Sequence, residues 1–325
     1  MIHLTNINRL YSDLKELLYV AQEEVLNSGQ VVLGKFTEQL QERIAEFSNA
    51  KHCCVVGSGS DALMYGLMAT KIRQVTIPAQ TFIATKNSCT RSNITIRYND
   101  VDETGCINWS TLKTKDVVWV GLFGNDTILP DNVNVYEDGA QHFGLPLKGI
   151  FASYSFDPTK SLPNFGNGGC VVTNDSDIYE NIMQLRKHGT VVYHTGGNSI
   201  MSERDCAELL VKLDFFNIWT NRRREIASLY RQELSDYVKI ITNENSIVSK
   251  FVISTKEKLK LQNHLFFNNI QSKDVYKNPL SSEPQAIKNC KEFLSIPCDS
   301  YTTDKEVSKV IDTIKSFFEP SPFKT

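Results

Sequence analysis

From residue 53 to residue 173 the chain alternates short apolar runs with helix-capable stretches, and this alternation constrains the fold more than any other feature. Cys53-Cys54-Val55-Val56 predicts a strand, Gly57-Ser58-Gly59-Ser60 a tight turn, and residues 61–70 a helix. Val75-Thr76-Ile77 predicts the next strand, closed by Pro78, with a helix over 82–90. Residues 94–98, 117–122, 133–136, 152–156 and 170–173 read as further strands. Short apolar strands separated by helices indicate an α/β domain with a largely parallel sheet.

The flanking segments are helical. Over 13–27 the apolar positions Leu14, Leu17, Leu18, Ala21 and Val25 keep helical spacing until Ser28-Gly29 ends the run. A second helix fits 37–47, with Leu40, Ile44 and Phe47 on one face. Residues 203–234 read as one long helix or two abutting ones. Beyond them, β-like pieces at 238–241 and 250–254 alternate with helices, and the last helix covers 303–318. Thr303 with Glu306 three residues later has the form of a capping box. At roughly 150 residues per domain, a chain of 325 divides into a large domain over 1–235 and a smaller α/β domain over 236–325.

Charge and cysteine usage exclude several classes. With 35 basic against 37 acidic side chains the net charge is −2, so no basic field is available for a nucleic acid. The densest basic cluster, Arg222-Arg223-Arg224, reads as the solvated face of a helix, with a nucleotide diphosphate contact from one of the arginines as the less favoured alternative. The longest apolar stretch, residues 117–124, is far short of a membrane span. None of the 8 cysteines forms a C-x-x-C pair or a zinc-like spacing with histidine, so no metal is expected. The start of the chain lacks a secretion signal, and reduced, buried thiols in a cytoplasmic enzyme are the expectation.

Three segments carry candidate chemistry. The turn Gly57-Ser58-Gly59-Ser60-Asp61-Ala62 follows a strand and opens a helix, so its N–H groups can hold a phosphate. It also matches the dinucleotide pattern G-x-G-x-x-A, but the next strand ends in Pro78-Ala79-Gln80 without a ribose-binding carboxylate. A ligand-free strand-to-helix turn is the alternative. Asp138, in Tyr136-Glu137-Asp138-Gly139, falls at a strand's carboxyl end, where ligands collect in open α/β sheets; helix capping is its plainer role. Lys160, in Ser155-Phe156-Asp157-Pro158-Thr159-Lys160, lies in a polar loop between two strands. Most lysines are solvated, yet this setting suits one that forms a Schiff base. Phosphate turn, carboxylate and loop lysine, in that order, are what pyridoxal 5'-phosphate requires.

These segments resemble the DegT/DnrJ/EryC1/StrS family of pyridoxal-phosphate-dependent sugar aminotransferases, over nearly the whole chain. The resemblance also rests on Val25-Leu26-Asn27-Ser28-Gly29, Ile77-Pro78-Ala79-Gln80-Thr81-Phe82, Gly168-Gly169-Cys170 and Leu185-Arg186-Lys187-His188-Gly189. It implies the type I aspartate aminotransferase fold, a mostly parallel sheet of the seven-stranded type plus a small C-terminal α/β domain.

By the same resemblance, Lys160 is the Schiff-base lysine and proton carrier, and Asp138 pairs with the pyridinium nitrogen. Gln141 lies near the phenolic oxygen, Phe82 stacks on the ring, and Gly57, Ser58 and Ser155 contact the phosphate. Asn198 reaches the phosphate of the partner subunit, which implies a homodimer with shared active sites. The chain departs from the family at Asn167 (commonly acidic), at Ile200 (often basic) and at Ser281 (a histidine), and it is shortened in its C-terminal part. The activity implied is ping-pong transfer of an amino group from L-glutamate, through pyridoxamine phosphate, to a nucleotide-linked keto-sugar. A dTDP-4-keto-6-deoxyhexose is expected, with a 3-keto sugar as the alternative. A regulatory relative that binds the cofactor without transaminating is the alternative of another class.

Overall fold

A computed structural model describes residues 1–189 and 196–319. The chain opens with two helices, α1 (Ile7–Ser28) and α2 (Lys35–Phe47). The former begins earlier than its apolar spacing predicts and ends on Gly29, whose φ of 68° closes it in the left-handed conformation. Strands and helices then alternate: β1 (His52–Val56), α3 (Gly59–Thr70), β2 (Gln74–Pro78), α4 (Ile83–Arg91) and β3 (Thr95–Asn99). Next come β4 (Asp116–Val120), β5 (Asn134–Asp138), β6 (Phe151–Ser155), β7 (Gly169–Thr173) and α5 (Ser176–Leu185). Sequence reading leaves out α5, whose start is fixed by Asp175 accepting from the backbone N–H groups of Asp177 and Ile178.

The strand expected over 117–122 stops at Val120 instead. Phe123 takes a φ of 65°, and Gln141 Oε1 accepts from its N–H at 2.9 Å, so the chain turns off the sheet there.

These seven strands form one sheet in the order β1-β7-β6-β5-β4-β2-β3. β7 runs antiparallel to both neighbours, and the others are parallel to one another. The carboxyl ends of β1, β5 and β6 therefore lie along one edge, and the first residue of β7 joins them. Val56 and Ser155 both pair with Gly169 in register.

The long helix α6 (Glu203–Leu234) is continuous. Its first residue caps a different helix: the buried Glu203 carboxylate accepts from the N–H groups of Gly34, Phe36 and Thr37 at 2.9, 2.8 and 3.0 Å. This anion meets the positive end of α2 and ties it to α6. The arginine cluster on α6 is not a solvated face. Arg222 pairs with Glu225 and Asp304, Arg223 is buried, and Arg224 alone is exposed. The burial repeats at Phe216, Trp219, Arg223, Ile226 and Tyr230, so Arg223 occupies the inward stripe of the helix.

The remaining elements are β8 (Lys239–Ile240), β9 (Phe251–Ser254), α7 (Lys258–Phe267), β10 (Lys273–Asp274), α8 (Pro284–Glu292), β11 (Phe293–Ile296) and α9 (Asp304–Phe318). They build a second, four-stranded sheet in the order β10-β11-β9-β8. Its core combines Phe251, Ile253, Leu294 and Val310 with Ile226 and Tyr230 of α6. The cysteines are free and, apart from half-buried Cys106, buried. Among the described residues no helix is long and apolar enough to cross a membrane.

The start of α1 is clamped to α9. Arg9 donates to both oxygens of Glu306 at 2.8 and 2.7 Å, while Glu306 also completes the capping box with Thr303. The Arg9 guanidinium, ahead of the Thr303 donors, pushes the Glu306 pKa down from 4.5 to about 2. A carboxyl lowered on folding stabilises above its unfolded pKa, and that contribution is lost as pH falls through the folded value. Urea titrations should therefore show stability declining between pH 4.5 and about 2. Glu306→Gln should be less stable at neutral pH and flatter across that window; an unchanged slope would contradict the assignment.

Candidate active site

A cavity of about 620 Å³ opens at the carboxyl edge of the large sheet and reaches β9, β10 and β11 of the smaller one. Of the residues expected from sequence, Ser58, Phe82, Asp138, Gln141, Ser155 and Lys160 line it. Gly57 and Asn198 do not. The Gly57 N–H is donated at 3.0 Å to Ser199 Oγ, which itself donates to Asp61. Asn198 is exposed and forms a backbone bridge with Lys187.

The glycine turn is built as the sequence predicts. Ser58 caps α3 by accepting from the Asp61 N–H at 3.1 Å, leaving the helix's positive end beside the cavity. Gly59 is required for space: a Cβ there would stand 2.5 Å from Ser155 Cβ and 3.0 Å from its Cα. A Cβ on Gly169 would come within 2.5 Å of the Ser58 carbonyl carbon. The two glycines let the turn press against the ends of β6 and β7. Gly59→Ala should lower stability by about 1–3 kcal/mol and displace the turn, read by denaturant unfolding and by a lower affinity for pyridoxal phosphate. Wild-type values for both would show that the close approach is dispensable.

Asp138 is the last residue of β5 and is buried; no helix follows it, so capping is not its role. Thr85 Oγ1 donates to its Oδ2 at 2.7 Å, and the Ala140 N–H reaches Oδ1 at 3.3 Å. Thr85 comes from the first turn of α4, next to Phe82, the exposed N-cap residue at the cavity wall. Gln141 is engaged on both sides: beyond its bond to Phe123, its Nε2 donates to the Tyr276 hydroxyl at 3.3 Å. Tyr276 follows β10, and burial pushes its phenol pKa up.

Lys160 lies in the loop between β6 and β7. The loop is pinned by Phe156 N–H to Gly168 O at 2.9 Å, Lys160 N–H to Asp157 O at 2.9 Å and Asn164 N–H to Phe156 O at 2.7 Å. Burial lowers the Lys160 pKa, against the opposing pull of Asp138 and Asp157. A lysine so desolvated gives up its proton more readily and is a better nucleophile and base.

A family model described as the DegT/DnrJ/EryC1/StrS aminotransferase family matches residues 13–315. The chain belongs to that family. Similar proteins include the pleiotropic regulatory protein of Geobacillus stearothermophilus, 28% identical, with 98% of each chain covered. Another is the dTDP-3-amino-3,6-dideoxy-alpha-D-galactopyranose transaminase of Aneurinibacillus thermoaerophilus, 26% identical over 98% of this chain and 99% of that one. The solved structure of S. venezuelae DesV in complex with a ketimine intermediate superposes with a TM-score of 0.91 at 23% identity, covering 98% of this chain and 99% of that one. That likeness shows the fold, α/β with a mostly parallel large sheet, as the resemblance implied.

Sequence reading passed over three residues at the site and took a fourth for solvated surface: Thr85 and Tyr276 bond Asp138 and Gln141, and Lys250 and Arg223 line the same cavity. Arg223 was legible in its spacing from Trp219 and Ile226 on the buried stripe of α6. Lys250 and Tyr276 carried no local signal, because the second sheet's packing against the first places them.

Proposed function

We propose that this DegT/DnrJ/EryC1/StrS protein is a pyridoxal-phosphate-dependent aminotransferase that moves an amino group from L-glutamate to a keto-sugar linked to a nucleotide. One observation carries the reading: Lys160, Asp138 and the N-terminus of α3 face a single cavity at the carboxyl edge of the sheet. The residues fit the cofactor. The start of α3, with the Ser58 and Ser155 hydroxyls, suits a phosphate; the buried Asp138 carboxylate suits a cationic ring nitrogen; Phe82 offers an aromatic face. When bound, pyridoxal phosphate supplies a carbonyl for an amine to condense with and a ring that withdraws electrons from the substrate carbon.

The chain's own residues do the rest. Lys160, whose pKa burial lowers, would serve as the nucleophile toward the cofactor's carbonyl and as the base that takes and returns the proton at the substrate carbon. Thr85 and the Ala140 N–H fix the Asp138 carboxylate, so its orientation does not depend on the ligand. Gln141 holds the Phe123 N–H at the 123–124 turn and is assigned to the cofactor's phenolic oxygen. Gly57 supports the turn through Ser199. Exposed Asn198 is assigned to the partner's phosphate in a homodimer. Leu17, Tyr19, Val20 and Leu26, exposed on α1, are apolar surface such a dimer could cover. The division near residue 235 is kept as the domain boundary.

The sugar is the finer part of the proposal. The 4-keto-6-deoxyhexose stands beside the 3-keto sugar, which the name of the Aneurinibacillus relative favours. In the test, the cofactor-loaded protein receives L-glutamate and then a panel of 3-keto and 4-keto nucleotide sugars, with products identified by mass spectrometry and NMR. Loss of the cofactor–lysine absorbance on adding glutamate is expected. A spectrum that glutamate leaves unchanged would overturn transamination from this donor.

A further inference from the structure

The loop that carries Lys160 rests on a buried ion pair that lies outside the cavity. Lys212 of α6 is at 0% exposure, and its amine stands 3.5 Å from the Glu208 carboxylate one turn earlier. That contact is not a hydrogen bond, and the amine has no acceptor among the described residues. The other Glu208 oxygen accepts from Gln22 Nε2 of α1 at 2.8 Å. Burial lowers the Lys212 pKa to about 8, against the pull of Glu208 and Asp205. What the amine does meet is a ring, 3.6 Å from the centroid of Phe165. Phe165 follows Lys160 by five residues in the same loop, and Tyr11 of α1 packs edge-on against it at 5.9 Å.

An ammonium buried without acceptors is costly, and an apolar side chain of similar length would fill the place without that cost. An aromatic face offsets the cost best where water is excluded, and the ring is fixed in return. Beside it, Asn164 Nδ2 donates to Asp205 Oδ1 at 2.9 Å and to Asn167 O at 3.0 Å. Asp205 and Lys212 are seven residues apart, about two turns of α6, so they share one stripe of the helix. The return limb of the loop is thus seated on α6 at two points, while the outgoing limb carries Lys160 into the cavity. The Asn164 N–H bond to Phe156 O, at 2.7 Å, joins the two limbs. We propose that Lys212, paired with Glu208 under the Phe165 ring, is a positioning residue that sets where Lys160 stands. The role of Lys160 rests on the aminotransferase reading, whereas the seat is present without the cofactor. Neither Lys212 nor Phe165 lines the cavity, so the effect passes through the loop.

Phe165→Leu carries the test, because the ring is partly exposed and its loss leaves Lys212 and the core in place. In the cofactor-free protein, amide hydrogen exchange across residues 157–167 should quicken on the order of tenfold, with melting near wild type. In the loaded protein the pH midpoint of the cofactor–lysine absorbance should move. In the glutamate half-reaction kcat should fall on the order of tenfold with KM unchanged. Lys212→Met with Glu208→Gln, which leaves no buried anion unpaired, should match Phe165→Leu and add nothing to it when all three changes are combined. Lys212→Arg keeps a cation for the ring and should stay near wild type. Wild-type exchange in Phe165→Leu overturns the proposal, and so does additivity of the two sets of changes. Faster exchange with an unmoved midpoint also overturns it, because the seat would then hold the loop without setting Lys160. Exchange that behaves as expected in a protein that takes up no pyridoxal phosphate supports the seat and overturns the cofactor reading instead.

Discussion

Lys160→Ala should lose transamination on the order of 10⁴-fold or more, since it removes both the nucleophile and the proton carrier. Lys160→Arg should be as inactive, because a guanidinium stays charged and can neither condense with a carbonyl nor accept a proton. Neither variant removes packing from the core: Lys160 lies in a loop and points into the cavity, so both should fold with near wild-type melting. Borohydride reduction of the loaded wild-type protein, followed by peptide mapping, should place the cofactor on Lys160. Attachment at Lys250, the other lysine whose pKa burial depresses in this cavity, would reassign the chemistry.

Asp138→Asn should lower kcat on the order of 10² to 10³, the scale of losing one fixed charge or donor at a developing charge. The change is isosteric, so the Thr85 hydroxyl and the Ala140 N–H remain in place to hold the side chain. Thr85→Val should act in the same direction with a smaller loss, roughly tenfold, because it frees the carboxylate without removing it. A Thr85→Val variant as impaired as Asp138→Asn would mean that α4 does more than orient the carboxylate. Stopped-flow spectra of the glutamate half-reaction separate these effects from weakened cofactor uptake.

The large sheet was legible from Cys53 onward because its strands, apart from the edge strand β3, are largely buried and read as near-continuous apolar runs. Their edges shifted by a residue or two where side chains outside the local pattern decide, as Gln141 does at the end of β4. The glycine turn, Asp138 and Lys160 were legible because each lies at or past the carboxyl end of a strand, where ligands collect in open α/β sheets. Arg223 was misread because charge suggested solvent while its periodicity pointed inward. Lys250 and Tyr276 lie just outside strands of the second sheet, Lys250 before β9 and Tyr276 after the two-residue β10, where a local pattern does not say which way a side chain faces. Glu203 capping α2 was invisible for a different reason. Its partners at Gly34 to Thr37 are remote in sequence, and helix-capping signals are read only locally.

The antiparallel strand β7, inserted between β1 and β6, also governs when the site can come into existence. His52 pairs with Thr173 and Val56 with Gly169, so the phosphate turn meets its wall only after the whole intervening chain has been gathered in. Such pairing demands closure of a long loop before any contact rewards it, and it is slow for that reason. A nascent chain ending before β7 holds both the turn and Asp138 yet lacks the strand that brings Val56 alongside Ser155. Assembly of the cavity therefore depends on these long-range pairings, and a cofactor that binds only the finished cavity stabilises them.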